Sequence, residues 1–497
     1  MTTTIHLHTH HQIDQVDPRV FGGFLEHLGR AVYEGVYSPS SVHADADGWR
    51  KDVMAALERL RFTAMRYPGG NFVSGYHWMD GVGPRDLRPV VRDLAWSSLE
   101  PNQVGTNEFI DLSRKMHWTP MMAVNLGTGT PEEARNLVEY CNIDCGSKFS
   151  DLRCDHGWEQ PHNVRLWCLG NEMDGPWQIG HVPAEHYAVK AQQAARMMKM
   201  CDPNIEVVAC GSSAPNMATY LHWDRAVLEH CRDDIEFLSL HRYVGNEAND
   251  TPDYLAVTSS IDEQIEDTYA LCKFVYRSQR QKKLIKLSFD EWNVWYKART
   301  QAHLDGRGKI APALLEEVYN MEDAVVVAGF LNSFIRHADS VKIANLAQIV
   351  NVIAPILTRG DEMLLQSIFY PIEMIAKRRT GTALQIGVEG PSYTSKSYGE
   401  VNYVDTSAIL NGSEVSVFAT NRSLEEPMVV RVNVADRPIR RLESAELVHG
   451  KGPQDANTYQ EPNRITAKPF DAITIKDGVA EFEMPPLSVF AGTFQLL

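Results

Sequence analysis

Short, nearly unbroken apolar runs recur along the first 380 residues, separated by segments whose apolar residues return every three or four positions. Eight runs read as strands: VFGGFLEH (20–27), FTAMRYP (62–68), TPMMAVNL (119–126), VRLWCLGN (164–171), IEVVACG (205–211), IEFLSLHRY (235–243), LIKLSFDE (284–291) and SVKIANLAQ (340–348). Continuous β-branched and aliphatic runs suit parallel strands buried on both faces. The intervening segments include GWRKDVMAALERL, TNEFIDLSRKMH, TPEEARNLVEYC and AEHYAVKAQQAARMMKM, which carry helical periodicity. Thr130-Pro131-Glu132-Glu133 opens one of them with a cap residue, a proline at the first helical position and acidic residues at the positive dipole end. Eight strand–helix units predict an α/β fold, a (β/α)₈ TIM barrel, over residues 18–383. The competing doubly wound sheet would carry a glycine-rich phosphate turn after its first strand. Here that strand closes on Gly22-Gly23-Phe24-Leu25-Glu26-His27, without a GxGxxG pattern.

From residue 384 to 497 the period changes to two. Segments such as EVSVFATN, MVVRVNVA, VAEFEMP and VFAGTFQLL alternate between Asn-Gly, Asp-Gly and Pro punctuation, with no long helix. This predicts a C-terminal antiparallel β-sandwich domain. Residues 1–17 also alternate, and are expected to add an N-terminal strand to that sandwich.

Composition narrows the partners. The 497 residues are 44% hydrophobic and 23% charged, ordinary values for a globular chain. With 48 Lys and Arg against 64 Asp and Glu, a net charge of −16 argues against nucleic acid, whose phosphates require clustered cations. No basic region followed by an apolar core opens the chain, and the longest apolar candidate, Ala324 to Leu331, is far short of a membrane span. A cytoplasmic enzyme with no membrane partner is the expectation. The eight cysteines do not form a disulfide scaffold, and Cys168 and Cys210 sit in apolar runs as buried thiols. Cys141, Cys145, Cys154 and His156 have a spacing that fits no common zinc module, so no metal is expected. His6, His8, His10 and His11 read as a strand with one solvated face.

In a barrel of this kind reactive side chains project from the C-terminal ends of the strands. Those ends offer Glu26, Arg66 with Asn71, Asn125, Asn171-Glu172, His241 with Tyr243, Asp290-Glu291, and Gln348. A single such residue is most often a satisfied core polar group; so many on one face point to an active site. Glu172 and Glu291, at the ends of the fourth and seventh strands, can flank one bound bond, as glycoside hydrolysis requires. The plain alternative is that each carboxylate pairs with a barrel arginine.

Four motifs add a family likeness: GGFLEHLGRAVY (22–33), RYPGGNF (66–72), GNEMDGPWQ (170–178) and DEWNVWY (290–296). Together they closely resemble the α-L-arabinofuranosidases of glycoside hydrolase family 51, and the resemblance spans nearly the whole chain. It implies a retaining, exo-acting enzyme that needs no cofactor, with Glu172 as acid/base and Glu291 as nucleophile, their carboxyl groups roughly 5–5.5 Å apart. It further implies that Glu26, Asn71, Asn171, Tyr243 and Gln348 bind furanose hydroxyls, Asn171 the 2-hydroxyl, and that Arg66 and His241 sit beside Glu291, with Arg66 keeping it ionised. Trp96, Trp177 and Trp295 are candidates to stack on the leaving sugar or to serve as packing; Trp292 is read as structural. Gly69 and Gly70 are expected to form a tight turn that points Asn71 inward. The implied substrates are arabinose-containing oligosaccharides derived from arabinan or arabinoxylan, and the implied assembly is a homo-oligomer, possibly a hexamer. A β-xylosidase or endoglucanase on the same scaffold, or a sugar-binding barrel without catalysis, are the alternatives.

Overall fold

The computed structural model describes residues 1–299 and 306–497. Eight parallel strands close into a barrel in chain order: Gly22–Phe24, Ala64–Tyr67, Thr119–Val124, Leu166–Leu169, Glu206–Ala209, Phe237–Val244, Lys286–Val294 and Val341–Ala347. The eighth pairs with the first, Asn345 opposite Gly22, which leaves no open edge. Each predicted apolar run overlaps one of these strands; the sixth and seventh strands continue past their runs, to Val244 and Val294. A helix follows every strand, from Lys51–Leu60 after the first to Phe369–Ala376 after the eighth. The Thr130 hydroxyl accepts from the Glu133 amide at 3.1 Å and Pro131 takes the first helical position, so Pro131–Asn142 begins where its capping sequence places it.

The seventh strand departs from regular pleating. Ser239 and His241 of the sixth strand face Ser288 and Glu291, so three steps on the seventh strand oppose two on the sixth. The same surplus appears on its other edge, where Phe289 and Trp292 face Ala344 and Leu346. A bulge therefore lies at Asp290-Glu291. Adjacent residues in a regular strand point to opposite faces; a bulge re-aims them.

Two further sheets form the C-terminal sandwich. The larger runs Gln12–Gln15, Thr382–Leu384, Val404–Asn411, Glu414–Asn421, Ser488–Leu496, Ile439–His449, Lys468–Pro469; the smaller runs Gly387–Glu389, Thr2–Leu7, Met428–Val434, Val479–Met484, Ile473–Lys476. Ile5, Val417, Val432, Phe482 and Phe490 are among the residues that fill the space between them. The N-terminal strand does join the sandwich, pairing parallel with Met428–Val434 inside an otherwise antiparallel sheet. It ends at Leu7, so His8, His10 and His11 lie beyond it rather than along a solvated strand face; the His8 and His11 rings stack at 4.5 Å.

The apolar stretch around Ala324–Leu331 belongs to the helix Met321–Arg336, buried through nearly its whole length. One side meets the seventh barrel strand, Phe289 against Phe334 and Trp292 against Phe330. The other meets the sandwich, where Asn332 and Arg336 both reach Asp405 at 2.9 Å. A helix covered on two sides needs no polar face. No described helix is long and apolar enough to cross a membrane. Cys145 and Cys154 form a disulfide, a pairing not expected from the cysteine spacing, while Cys168 and Cys210 are buried free thiols.

Candidate active site

The C-terminal ends of the strands open into a cavity of about 440 Å³. Glu26, Asn71, Trp96, Glu172, Trp177, Tyr243, Glu291, Trp295 and Gln348 all line it. Arg66, Asn171 and His241 form the buried layer beneath. Asn125 stands apart: it binds the Tyr76 carbonyl and the Thr128 hydroxyl, each at 2.9 Å, and organises the loop after the third strand.

Glu291 lies within the seventh strand, which continues to Val294. Arg66 donates to Oε1 at 2.6 Å and the Tyr243 hydroxyl to Oε2 at 2.8 Å. The other Arg66 terminal nitrogen donates to Asn171 Oδ1 at 2.7 Å, and Phe24 lies under the guanidinium at 4.6 Å. Burial alone would disfavour the charged guanidinium, but Asp290 and Glu291 outweigh it and raise its pKa well above the ordinary value. Burial and the Glu291 charge likewise raise the Tyr243 phenol, keeping it a donor.

Glu172 is held differently. It lies three residues past the end of the fourth strand at Leu169, with its own backbone in the left-handed region at φ 43°. Such a conformation costs a non-glycine residue on the order of 1–3 kcal/mol and persists only where surrounding contacts impose it. His241 Nδ1 lies 2.8 Å from Oε1, and Trp177 Nε1 donates to Oε2 at 2.7 Å. His241 is thus nearer Glu172 than Glu291, which it approaches at 3.6 Å.

On its other side His241 Nε2 meets Asp290 Oδ1 at 3.1 Å, and Ser239 donates to the same oxygen. The bulge makes this contact possible, because Asp290 and Glu291 both reach His241. Burial opposes charge on the imidazole, yet Glu291, Asp290 and Glu172 together raise its pKa well above the usual value. Asp290 is moved the opposite way: burial would raise it, while Arg66 and His241 bring it below the ordinary range. Asp290, expected only as one of the strand-end polar residues and with no role of its own, is the partner that charges His241 from behind.

Glu26 is fully buried. It accepts from the Phe72 amide at 2.9 Å and Trp96 Nε1 at 3.1 Å, while its own amide donates to Gln348 Oε1 at 3.0 Å. Burial and then the Glu291 charge push its pKa to about 8, so at neutral pH it carries a proton and can donate. A Cβ on Gly70 would lie 3.0 Å from Glu26 Oε2 and 3.2 Å from Glu291 Oε1. Gly70 has a negative φ of −74°, so the demand there is space beside two carboxylates rather than a left-handed turn. Asn71 accepts from Asn171 at 3.3 Å. Trp295 meets Tyr243 edge-on at 5.5 Å, while Trp292 faces away into the Phe330–Phe334 cluster.

Glu172, His241 and Glu291 each present one ligand-type atom within 4.8 Å of the others. Two carboxylates and an imidazole could in principle hold a divalent cation. Here the positive charge facing them is already provided by Arg66 and the raised imidazole.

Comparison with known proteins agrees with this geometry. The profile of the α-L-arabinofuranosidase 1 domain matches residues 56–251 and that of the α-L-arabinofuranosidase C-terminal domain residues 290–488. An intracellular exo-α-(1→5)-L-arabinofuranosidase of Acetivibrio thermocellus is 45% identical over 479 residues, 94% of each chain. The chain belongs to the family 51 α-L-arabinofuranosidases. Among other members, an exo-α-(1→6)-L-arabinofuranosidase of Bifidobacterium longum is 41% identical over 491 residues, covering 96% of this chain and 94% of its own. A solved family 51 α-L-arabinofuranosidase from Bifidobacterium longum superposes with a TM-score of 0.95 at 36% identity over 99% of both chains. The chain is therefore a glycoside hydrolase of this family, with its barrel and trailing sandwich.

Proposed function

We propose that the protein is an intracellular, retaining, exo-acting α-L-arabinofuranosidase, with Glu291 as nucleophile and Glu172 as acid/base. The observation that carries the mechanism is that Glu172 and Glu291, from opposite sides of the barrel mouth, present oxygens within 4.8 Å of each other. Retaining enzymes hold their carboxyl groups roughly 5–5.5 Å apart, whereas inverting ones leave roughly 6.5–9.5 Å for a water.

In the first half-reaction a Glu291 oxygen bonds to the anomeric carbon while the glycosidic bond breaks. The leaving oxygen takes the proton of Glu172. In the second, Glu172 removes a proton from water, the water oxygen bonds to the anomeric carbon and the bond to Glu291 breaks, restoring both carboxyl groups. Arg66 and Tyr243 aim Glu291; Asn171, fixed by Arg66, faces the 2-hydroxyl, a contact that strengthens as positive charge develops on the ring. Glu26, with its proton, and Asn71 and Gln348 receive the remaining hydroxyls.

The substrates are terminal arabinofuranosyl groups on arabinan- or arabinoxylan-derived oligosaccharides. The names of the relatives support the exo mode and the intracellular setting. A homo-oligomer is part of the same reading: Leu87, Val90 and Leu94 stand exposed along one loop segment, as a subunit contact would require. Sedimentation of the purified chain tests it. The activity itself is tested by comparing an aryl α-L-arabinofuranoside with an aryl β-D-xylopyranoside. Faster arabinofuranoside hydrolysis is expected; faster xylopyranoside hydrolysis would move the assignment to a β-xylosidase on the same scaffold.

A further inference from the structure

Trp177 is the most exposed aromatic residue at the site, with 51% of its surface accessible, yet its ring is not free. Its indole N–H is committed to Glu172 Oε2 at 2.7 Å, the oxygen that His241 leaves open. A second feature holds the ring there. Gly175 packs beneath it so closely that a Cβ would lie 2.5 Å from Cε2, 2.6 Å from Cζ2 and 2.9 Å from Nε1 of Trp177. Gly175 has no positive φ, so glycine serves here to admit the indole rather than to make a turn. The loop is pinned further by Asp174, which accepts from the Ser213 amide at 2.9 Å and hydroxyl at 3.0 Å.

We propose that Trp177 is a positioning residue that biases Glu172 toward its base form. A carboxylate oxygen accepts an N–H far better than the hydroxyl oxygen of a carboxylic acid, so the indole favours Glu172 as it is needed to activate water. In the first half-reaction the same oxygen must carry the proton toward the leaving group. The indole opposes that form and occupies space that the leaving sugar enters. The indole, 51% exposed, is the partner of Glu172 that a leaving group can reach; His241, wedged between Glu172 and Asp290, is not. Trp177 thereby couples occupation of the leaving-group space to the state of the acid/base. The inference rests on Glu172 being that group.

The other ionisable groups facing Glu172 are His241 and Tyr243 from the sixth strand, Asp290 and Glu291 from the seventh, Asp174 from its own loop, and Arg66 from the second strand behind Glu291. None is altered by changing the indole. The test is the pH dependence of kcat/KM on an unactivated arabino-oligosaccharide for Trp177→Phe and Gly175→Ala, with Glu172→Ala assayed alongside on good and poor leaving groups. Trp177→Phe keeps a ring without the N–H; Gly175→Ala keeps the indole but displaces it. Both should move the alkaline limb upward by about half to one pH unit. An unmoved limb in both, with only KM raised, would show that Trp177 is merely a stacking wall and overturn the inference. Glu172→Ala acting equally on all leaving groups would overturn the acid/base assignment beneath it, a result separable from the first.

Discussion

Glu291 and Glu172 face each other across one cavity, yet they are mounted in contrasting ways. Glu291 sits inside a strand, with Arg66 and Tyr243 on its two oxygens, both held from other strands of the barrel wall. Glu172 sits beyond a strand end, on a left-handed residue, with one buried partner and one exposed partner. The difference matches the two tasks. A nucleophile makes and breaks one bond at one place, so a fixed oxygen serves it throughout. An acid/base must exist in two protonation states within each turnover, so one of its partners has to be replaceable.

The largest expected effect breaks the Glu291 side. Glu291→Ala should lower kcat on the order of 10⁴-fold with every leaving group, measured with a series of aryl arabinofuranosides. A loss confined to poor leaving groups would mean that the two roles are exchanged. Glu172→Ala should cost about 10²–10⁴-fold on oligosaccharides and far less on an activated aryl glycoside, because only the former needs a proton on its leaving oxygen. Asp290→Asn comes next. It removes one of the negative charges that sustain the raised imidazole, so His241 should lose its proton at lower pH, the alkaline limb of the pH profile should move down and kcat should fall about 10-fold, with KM little changed. An unchanged profile would reduce Asp290 to a packing role.

The smallest effect is on stability. Glu26 has a folded pKa of about 8 against an ordinary 4.5, because of burial and then the Glu291 charge. The native state therefore retains a proton that the unfolded chain releases, and stability falls as pH rises from about 4.5 to 8, levelling above. Glu26→Gln, an amide of the same shape, should lose this dependence: its melting temperature relative to the parent should climb across that window. A constant difference between the two curves would show that Glu26 is ionised when folded.

Most of the barrel was legible because strand-forming runs buried on both faces leave a pattern that local sequence carries. The ends of those runs were legible for a related reason: polar residues closing an apolar strand must find partners. What escaped depends on register and on distant neighbours. Asp290 and Glu291 should alternate in a regular strand, and only the bulge, set by pairing with strands on both sides, turns both toward His241. His241 does lie beside Glu291, its partner across the two strands at 3.6 Å, but its closer contact, 2.8 Å to Glu172, joins residues 69 positions apart that no local pattern links. The need for glycine at Gly70 and Gly175 comes from a carboxylate pair and an indole that fold back onto them, which no local pattern records. Pairing of Cys145 with Cys154 is likewise a matter of proximity.

The central claim is that the two carboxylates work by double displacement, and the anomeric configuration of the first-formed sugar tests it most directly. Proton NMR spectra taken within the first turnovers on an aryl α-L-arabinofuranoside should show α-L-arabinofuranose first, with the β anomer growing in only by mutarotation. Initial release of β-L-arabinofuranose would mean a single inverting displacement and would contradict the account.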